Sequence, residues 1–227
     1  MKEHPGKVPD DSRAEFVIAA DPLAAMGLAC LMKEAGKRVT CIPAGECFHL
    51  LPMLRKQHWQ LTVFMPADPL GFLRTIDRVV MLIKCSYTPP HIIILSHAPA
   101  GWIVETLSAQ GCTQSMLCNI TVLPSRINCR QLFMMISGTV RPSLFRFRAD
   151  HIGSLLPVLT PREYTAVYSW LAGYSSHAFA EKANRSVKTF YGQRYSGLCK
   201  LASVFPFLKP RRRVNHIQQE QKRDVKG

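Results

Sequence analysis

The chain has 227 residues, 47% of them hydrophobic and 19% charged, a balance that admits a packed core and excludes wholesale disorder. That length suits one large domain or two modest ones. The net charge is +14, and the best apolar run, Ala24 to Met32, is far shorter than the roughly 20 residues that cross a bilayer.

Taken in chain order, the first 138 residues alternate between two kinds of segment. Short apolar runs predict strands at Phe16–Ala20, Val39–Ile42, Leu61–Met65, His91–Leu95 and Ile120–Leu123. Their apolar residues are continuous rather than alternating, as in strands covered on both faces. Between and after them, helical spacing spans about 22–36, 46–57, 70–83, 100–109 and 127–137. Five strands, each followed by a helix, predict a doubly wound α/β sheet, because parallel neighbours need helical crossovers. The pattern fades after Gly138, through Phe145-Arg-Phe-Arg148 and Gly153-Ser154, so a linker is placed at 139–156.

The C-terminal unit, 157–208, predicts three helices. Thr160-Pro161-Arg162-Glu163 starts the first: Thr160 as cap, Pro161 at the first helical position, Glu163 closing a capping box. Tyr164, Val167, Tyr168 and Leu171 form its apolar face and Gly173 ends it. A second helix runs from about Ser176 to Ala183, with Ser175 or Ser176 as cap. Asn184 tolerates the tight turn, and Ser186 caps a third helix from Val187 to about Leu201. Short helix, tight turn and longer polar helix make a helix-turn-helix.

Charge is unevenly spread. From Pro157 to Gly227 there are 13 basic and 4 acidic residues, and the tail at 209–227 holds seven and two. That concentration points to a polyanionic partner, although a cationic surface also serves solubility. The eight cysteines form no CxxC pair and no zinc spacing, so buried or half-buried thiols in a reducing compartment are expected. Behind Met1-Lys2-Glu3-His4-Pro5 there is no signal-peptide core. The expectation is a cytoplasmic protein with no membrane partner.

Leu159-Thr-Pro-Arg-Glu163, Leu171-Ala-Gly173, Ala180, Ser186-Val-Lys-Thr189 and Lys200-Leu201 resemble the LuxR-type helix-turn-helix of NarL/FixJ response regulators. Asn184-Arg-Ser-Val-Lys-Thr189, with Gln193 and Ser196, looks closest to the enterobacterial Rcs-type regulator and its BglJ-like auxiliaries. The resemblance implies that residues 1–138 form a receiver domain, and its phosphorylation pocket can be followed position by position. Asp21 keeps one acid of the pair that follows the first strand. Met65 stands where the phospho-accepting Asp belongs, Ser96 fits the Ser or Thr of the fourth strand, and Leu123 replaces the Lys before Pro124.

A thioether cannot act as the carboxylate nucleophile, and one Asp among apolar neighbours is a poor magnesium cage. The pocket therefore reads as degenerate, a pseudo-receiver with no cofactor. Asp68 reads as a turn residue before Pro69, with substitute acceptor as its other reading.

In a helix-turn-helix the third helix enters the major groove. Val187, Phe190 and Leu201 read as its buried stripe, and Lys188, Thr189, Gln193 and Ser196 as the opposite side. The resemblance gives Lys188 and Thr189 phosphate contacts. Gln193 and Arg194 suit adenine and guanine edges. Tyr191 suits backbone or a thymine methyl, Gly192 would admit the duplex closely, and Lys200 completes the candidate DNA-binding set. The same residues would also serve as a solvated surface.

Three departures from the family matter: Ala178 replaces a Glu, Arg194 and Gly197 stand at usually apolar positions, and Pro206 and Pro210 interrupt the expected fourth, dimer-forming helix.

The expected function is a bacterial transcription regulator that binds double-stranded DNA without phosphorylation of its own. A heterodimer with an Rcs-type response regulator is expected, with a homodimer as runner-up. The rival is an antagonist that sequesters a regulator through the α/β unit. No glycine-rich phosphate loop, zinc spacing or nucleophile motif points to an enzyme.

Overall fold

Every strand expected from an apolar run forms; four are buried almost throughout, whereas Val39–Ile42, at the sheet edge, buries Ile42 and leaves Thr40 and Cys41 exposed. The computed structural model describes residues 14–43, 59–86, 88, 91–138, 156–182 and 184–210. Its strands are β1 (Ala14–Ala19), β2 (Val39–Ile42), β3 (Trp59–Phe64), β4 (His91–Ser96) and β5 (Ile120–Pro124), all parallel in the order β2-β1-β3-β4-β5. The order reverses beside β1, which marks a doubly wound sheet. The helices of this unit are α1 (Pro22–Glu34), α2 (Pro69–Cys85), α3 (Ala100–Ala109), α4 (Gln114–Leu117) and α5 (Cys129–Ile136). The single turn α4 was not expected, being too short to show a period. The expected helix at 46–57 and all but the last residue of the linker at 139–156 lie outside the described residues.

Alternation along each strand sends side chains to two apolar layers. Ile18, Val63, Ile94 and Val122 meet α2 and α3 through Phe72, Ile76, Trp102 and Ile103. Val17, Ile93, Leu95 and Leu123 meet α1 and α5 through Leu28, Met32, Leu132 and Met135. Asp68 is neither a plain turn residue nor free. It is the N-cap of α2, its carboxylate accepting from the Gly71 amide at 2.6 Å.

The C-terminal unit contains α6 (Pro161–Leu171), α7 (Ser176–Lys182), α8 (Val187–Leu201) and a 3₁₀ turn at Pro206–Leu208. Its start signals act as expected. Thr160 and Glu163 close a capping box, Gly173 takes φ +80°, Asn184 takes φ +50°, and Ser186 caps α8. The Ser175 carbonyl accepts the first bond of α7, from Phe179, so the cap position is Ser175.

The two units are not simply tethered. Leu159, Tyr164, Val167, Leu198, Leu201 and Phe205 join the same buried cluster as Phe72, Leu73 and Ile76 of α2. The Tyr164 hydroxyl donates to the Leu73 carbonyl at 2.6 Å and also bonds the Asp77 carboxyl. Burial of the ring raises the phenol far above its ordinary range. The Phe205 ring packs edge-on against Phe72 and His97, at centroid distances of 5.3 and 5.1 Å.

Candidate nucleic-acid interface

Helix α8 is held between two partners that leave one stripe of it outside. Phe190 sits in a small core with Ala166 of α6 and Ala180 of α7. Leu198 and Leu201 face the cluster under α6 and α2. Where α8 passes α6, Gly197 is required. A Cβ there would lie 2.6 Å from Val167 Cγ2 and 3.2 Å from Glu163 Cβ. That closeness explains the small residue at a position the resemblance makes apolar.

The outward stripe consists of Lys188, Gly192, Tyr195 and Cys199, flanked by Thr189 and Tyr191, all exposed. Lys188, Thr189, Tyr191 and Gly192 thus lie where expected. Thr189 is partly engaged, because its hydroxyl lies 2.7 Å from that of Ser186 in the N-cap. Gly192 differs sharply from Gly197: a Cβ at 192 would meet nothing within 4 Å. Glycine in a helix interior costs about 1 kcal/mol relative to alanine, and no internal contact accounts for it here.

Ser196 and Lys200 are corrections. Both turn towards α6 instead of outward. The Ser196 hydroxyl donates to Glu163 Oε1 at 2.6 Å and Lys200 Nζ to Oε2 at 2.7 Å, while the Thr160 amide donates to Oε2 at 2.9 Å. Burial alone would raise the Glu163 carboxyl, but the bonds from Lys200, Ser196 and Thr160 outweigh it and hold the group at about 2. A residue that caps α6 therefore also ties α6 to α8. The physical reason for the correction is angular: 196 and 200 lie one turn apart on the flank of α8 that meets α6, not on its outer midline.

Arg194 and Gln193 are also engaged within the chain. The Arg194 guanidinium lies 4.5 Å from the Tyr191 ring centroid and 5.8 Å from that of Trp170, and it donates to the Ser176 hydroxyl at 3.2 Å. This stack joins α6, α7 and α8, and it explains an arginine at a position expected to be apolar. Arg185 donates to Gln193 Oε1 at 3.2 Å. The Gln193 oxygen thus has a partner, and its amide hydrogens are the complementary half, able to donate to an acceptor. Tyr195, exposed at 48%, was missed. Its place seven residues after Lys188 on one helix stripe was the available signal.

The other candidate pocket lies at the C-terminal ends of the strands. Asp21 caps α1, accepting from the Leu23 amide at 3.0 Å. Ser96 is buried, and its hydroxyl accepts from the Ala98 amide at 2.9 Å. Met65 and Leu123 are 2% and 1% exposed and belong to apolar layers on opposite faces of the sheet. These side chains do not fit a magnesium ion: one carboxylate is present, and thioether and isobutyl groups occupy the other positions. Among the described residues no group of three His, Cys, Asp or Glu side chains could hold a metal, and no helix is long and apolar enough to cross a membrane.

Several solved structures share this arrangement of an α/β unit followed by a helical unit. RcsB from Salmonella enterica serovar Typhimurium bound to promoter rprA in the presence of phosphomimetic BeF3⁻ superposes with a TM-score of 0.50. It is 16% identical over 88% of this chain and 99% of that one. A two-component response regulator RcsB–DNA complex gives 0.48 at 15% identity over 88% and 100%. Full-length FixJ from B. japonicum gives 0.37 at 21% identity over 83% and 89%. The fold is that of a response regulator. No protein-family model and no curated protein sequence matches the chain.

Proposed function

We propose that the chain is a bacterial, cytoplasmic transcription regulator that binds double-stranded DNA through the outward stripe of α8 and catalyses no reaction. The observation that carries this reading is that stripe. A helix seated as the third element of a helix-turn-helix presents Lys188, Thr189, Tyr191 and Tyr195 around Gly192, which no internal contact requires. A cation, hydroxyls and flat rings around a gap in the helix surface suit a phosphate-lined groove. The fold it shares with promoter-bound RcsB supports the reading. The Asn184–Thr189 stretch supports kinship with Rcs-type and BglJ-like regulators.

The regulator acts without phosphorylation of its own receiver-like unit, because Met65 and Leu123 occupy the nucleophile and lysine positions with packed apolar groups. One helix-turn-helix covers half a site, so the active form is a dimer, with an Rcs-type response regulator or a second copy. The test is selection from random duplexes with the full chain, followed by Lys188→Ala/Thr189→Ala. The wild type is expected to enrich a defined sequence and the double variant to lose it at unchanged melting temperature. Unselective wild-type binding, or retained selection in the variant, would sink the reading. Incubation with acetyl phosphate should label no Asp.

A further inference from the structure

Ala178, at a position where the resemblance implies Glu, has no part in the DNA-binding reading. It lines a surface groove of about 340 Å³ together with Tyr174, Ser175, Phe179 and Lys182. The groove lies on α7 and the turn before it, and its walls are anchored. Gly173 takes φ +80° and turns the chain, and the Tyr174 amide then donates to the Ser169 carbonyl at 2.9 Å. That bond closes the end of α6 and fixes where Tyr174 leaves the turn. The Tyr174 ring stands 6.3 Å from that of Phe179, and Phe179 stands 5.7 Å from Phe190 in the small core under α8. Tyr174 still leaves 60% of its surface in water.

One charge decides what fits. Ala178 and Lys182 are a turn apart on α7 and share a flank, whereas His177 and Glu181 form the adjacent row. Lys182 is exposed, and among the described residues it has no ion-pair partner. A glutamate at 178 would stand four residues before Lys182, the arrangement that pairs best, and would lay its own side chain in the groove. Alanine leaves the cation unpaired and the aromatic walls open beside it. The unit around it is strongly basic, with 13 basic and 4 acidic residues from 157 to 227, so its field favours an acidic partner. An apolar cleft with a cation at its rim takes an apolar side chain next to a carboxylate. A bare phosphate is a poor occupant, having nothing to bury against Tyr174 and Phe179.

We infer that this groove docks an acidic segment of another protein, which places an aromatic or leucine side chain between Tyr174 and Phe179 and an Asp or Glu on Lys182. A groove of this size takes one large side chain and its neighbours, so the contact is a short linear segment anchored at one point. The outward stripe of α8 lines no part of it, so the partner and a duplex can be held together. The contact itself does not rest on the DNA-binding reading.

Panning the full chain, without DNA, against a random peptide library on phage tests the contact, with enriched peptides resynthesised and measured by fluorescence anisotropy. The enriched peptides are expected to carry an aromatic or leucine side chain within a turn of an Asp or Glu. Ala178→Glu, which fills the groove and pairs Lys182, should weaken them by about tenfold or more at unchanged melting temperature. Lys182→Gln leaves the walls in place and should erase the difference between each peptide and its Asn or Gln analogue. Should Ala178→Glu melt lower than the wild type, Lys182→Gln decides. The inference is overturned if no peptide or only basic peptides enrich, if binding ignores Ala178→Glu, or if the preference for the acid survives Lys182→Gln. A selected duplex that displaces the peptides also overturns it, because the groove would then belong to the DNA surface. If no duplex binds the protein, the functional proposal fails while the peptide outcomes keep their meaning.

Discussion

Helix α8 contains two glycines, and replacing each with alanine should move stability in opposite directions. At Gly192 the new methyl meets nothing within 4 Å, so the helix gains the full propensity difference, about 1 kcal/mol. The same methyl stands in the middle of the outward stripe, where it holds a duplex off. An overpacked contact costs about 1–2 kcal/mol, which corresponds to a five- to thirty-fold weaker complex. At Gly197 the methyl arrives 2.6 Å from Val167 Cγ2 and 3.2 Å from Glu163 Cβ, so α6 and α8 must part. Overpacking there costs about 1–3 kcal/mol and outweighs the propensity gain. Urea unfolding of the full chain gives the stability changes, and titration of a selected duplex gives the affinities. Gly192→Ala should be more stable yet bind more weakly, and Gly197→Ala should be less stable. The reasoning is refuted if Gly192→Ala binds DNA as the wild type does, because then nothing approaches that face.

Four further outcomes follow from the same geometry. Glu163→Gln keeps a capping-box partner for Thr160 but loses the charge that holds Lys200, and urea unfolding at pH 7 should show a loss of about 2 kcal/mol once solvent screening at Lys200 is counted. The folded carboxyl is held at about 2 against an ordinary 4.5, so its contribution is complete above pH 4.5 and fades as pH falls through 2. The gap between wild type and variant should close over that window, and a constant gap would contradict the assignment. Lys188→Ala should reduce the salt dependence of DNA binding by about one phosphate contact and leave melting unchanged, whereas Lys200→Ala should lower the melting temperature, as calorimetry would show. Tyr164→Phe removes the bond to the Leu73 carbonyl and should loosen the two units by about 1 kcal/mol, read as faster hydrogen exchange in α2.

Much of this protein could be read from local rules, because those rules act locally. The strands follow from continuous apolar runs, and the ends of α6, the turn after α7 and the start of α8 from Thr160, Glu163, Gly173, Asn184 and Ser186. In each case the groups that interact are within a few residues of one another, so their spacing alone reveals the pairing. That Met65 and Leu123 carry neither a carboxylate nor an ammonium group was equally plain, wherever they point. What spacing could not reveal was which flank of α8 meets α6. That contact joins residues 33 and 37 positions apart, and it turned Ser196 and Lys200 from groove-facing residues into partners of Glu163. The docking of Tyr164 and Phe205 onto α2, about 90 residues or more away, was likewise out of reach. Short-range hydrogen bonding writes secondary structure into neighbouring residues, whereas the choice of outward face is made by whichever distant surfaces bury the rest.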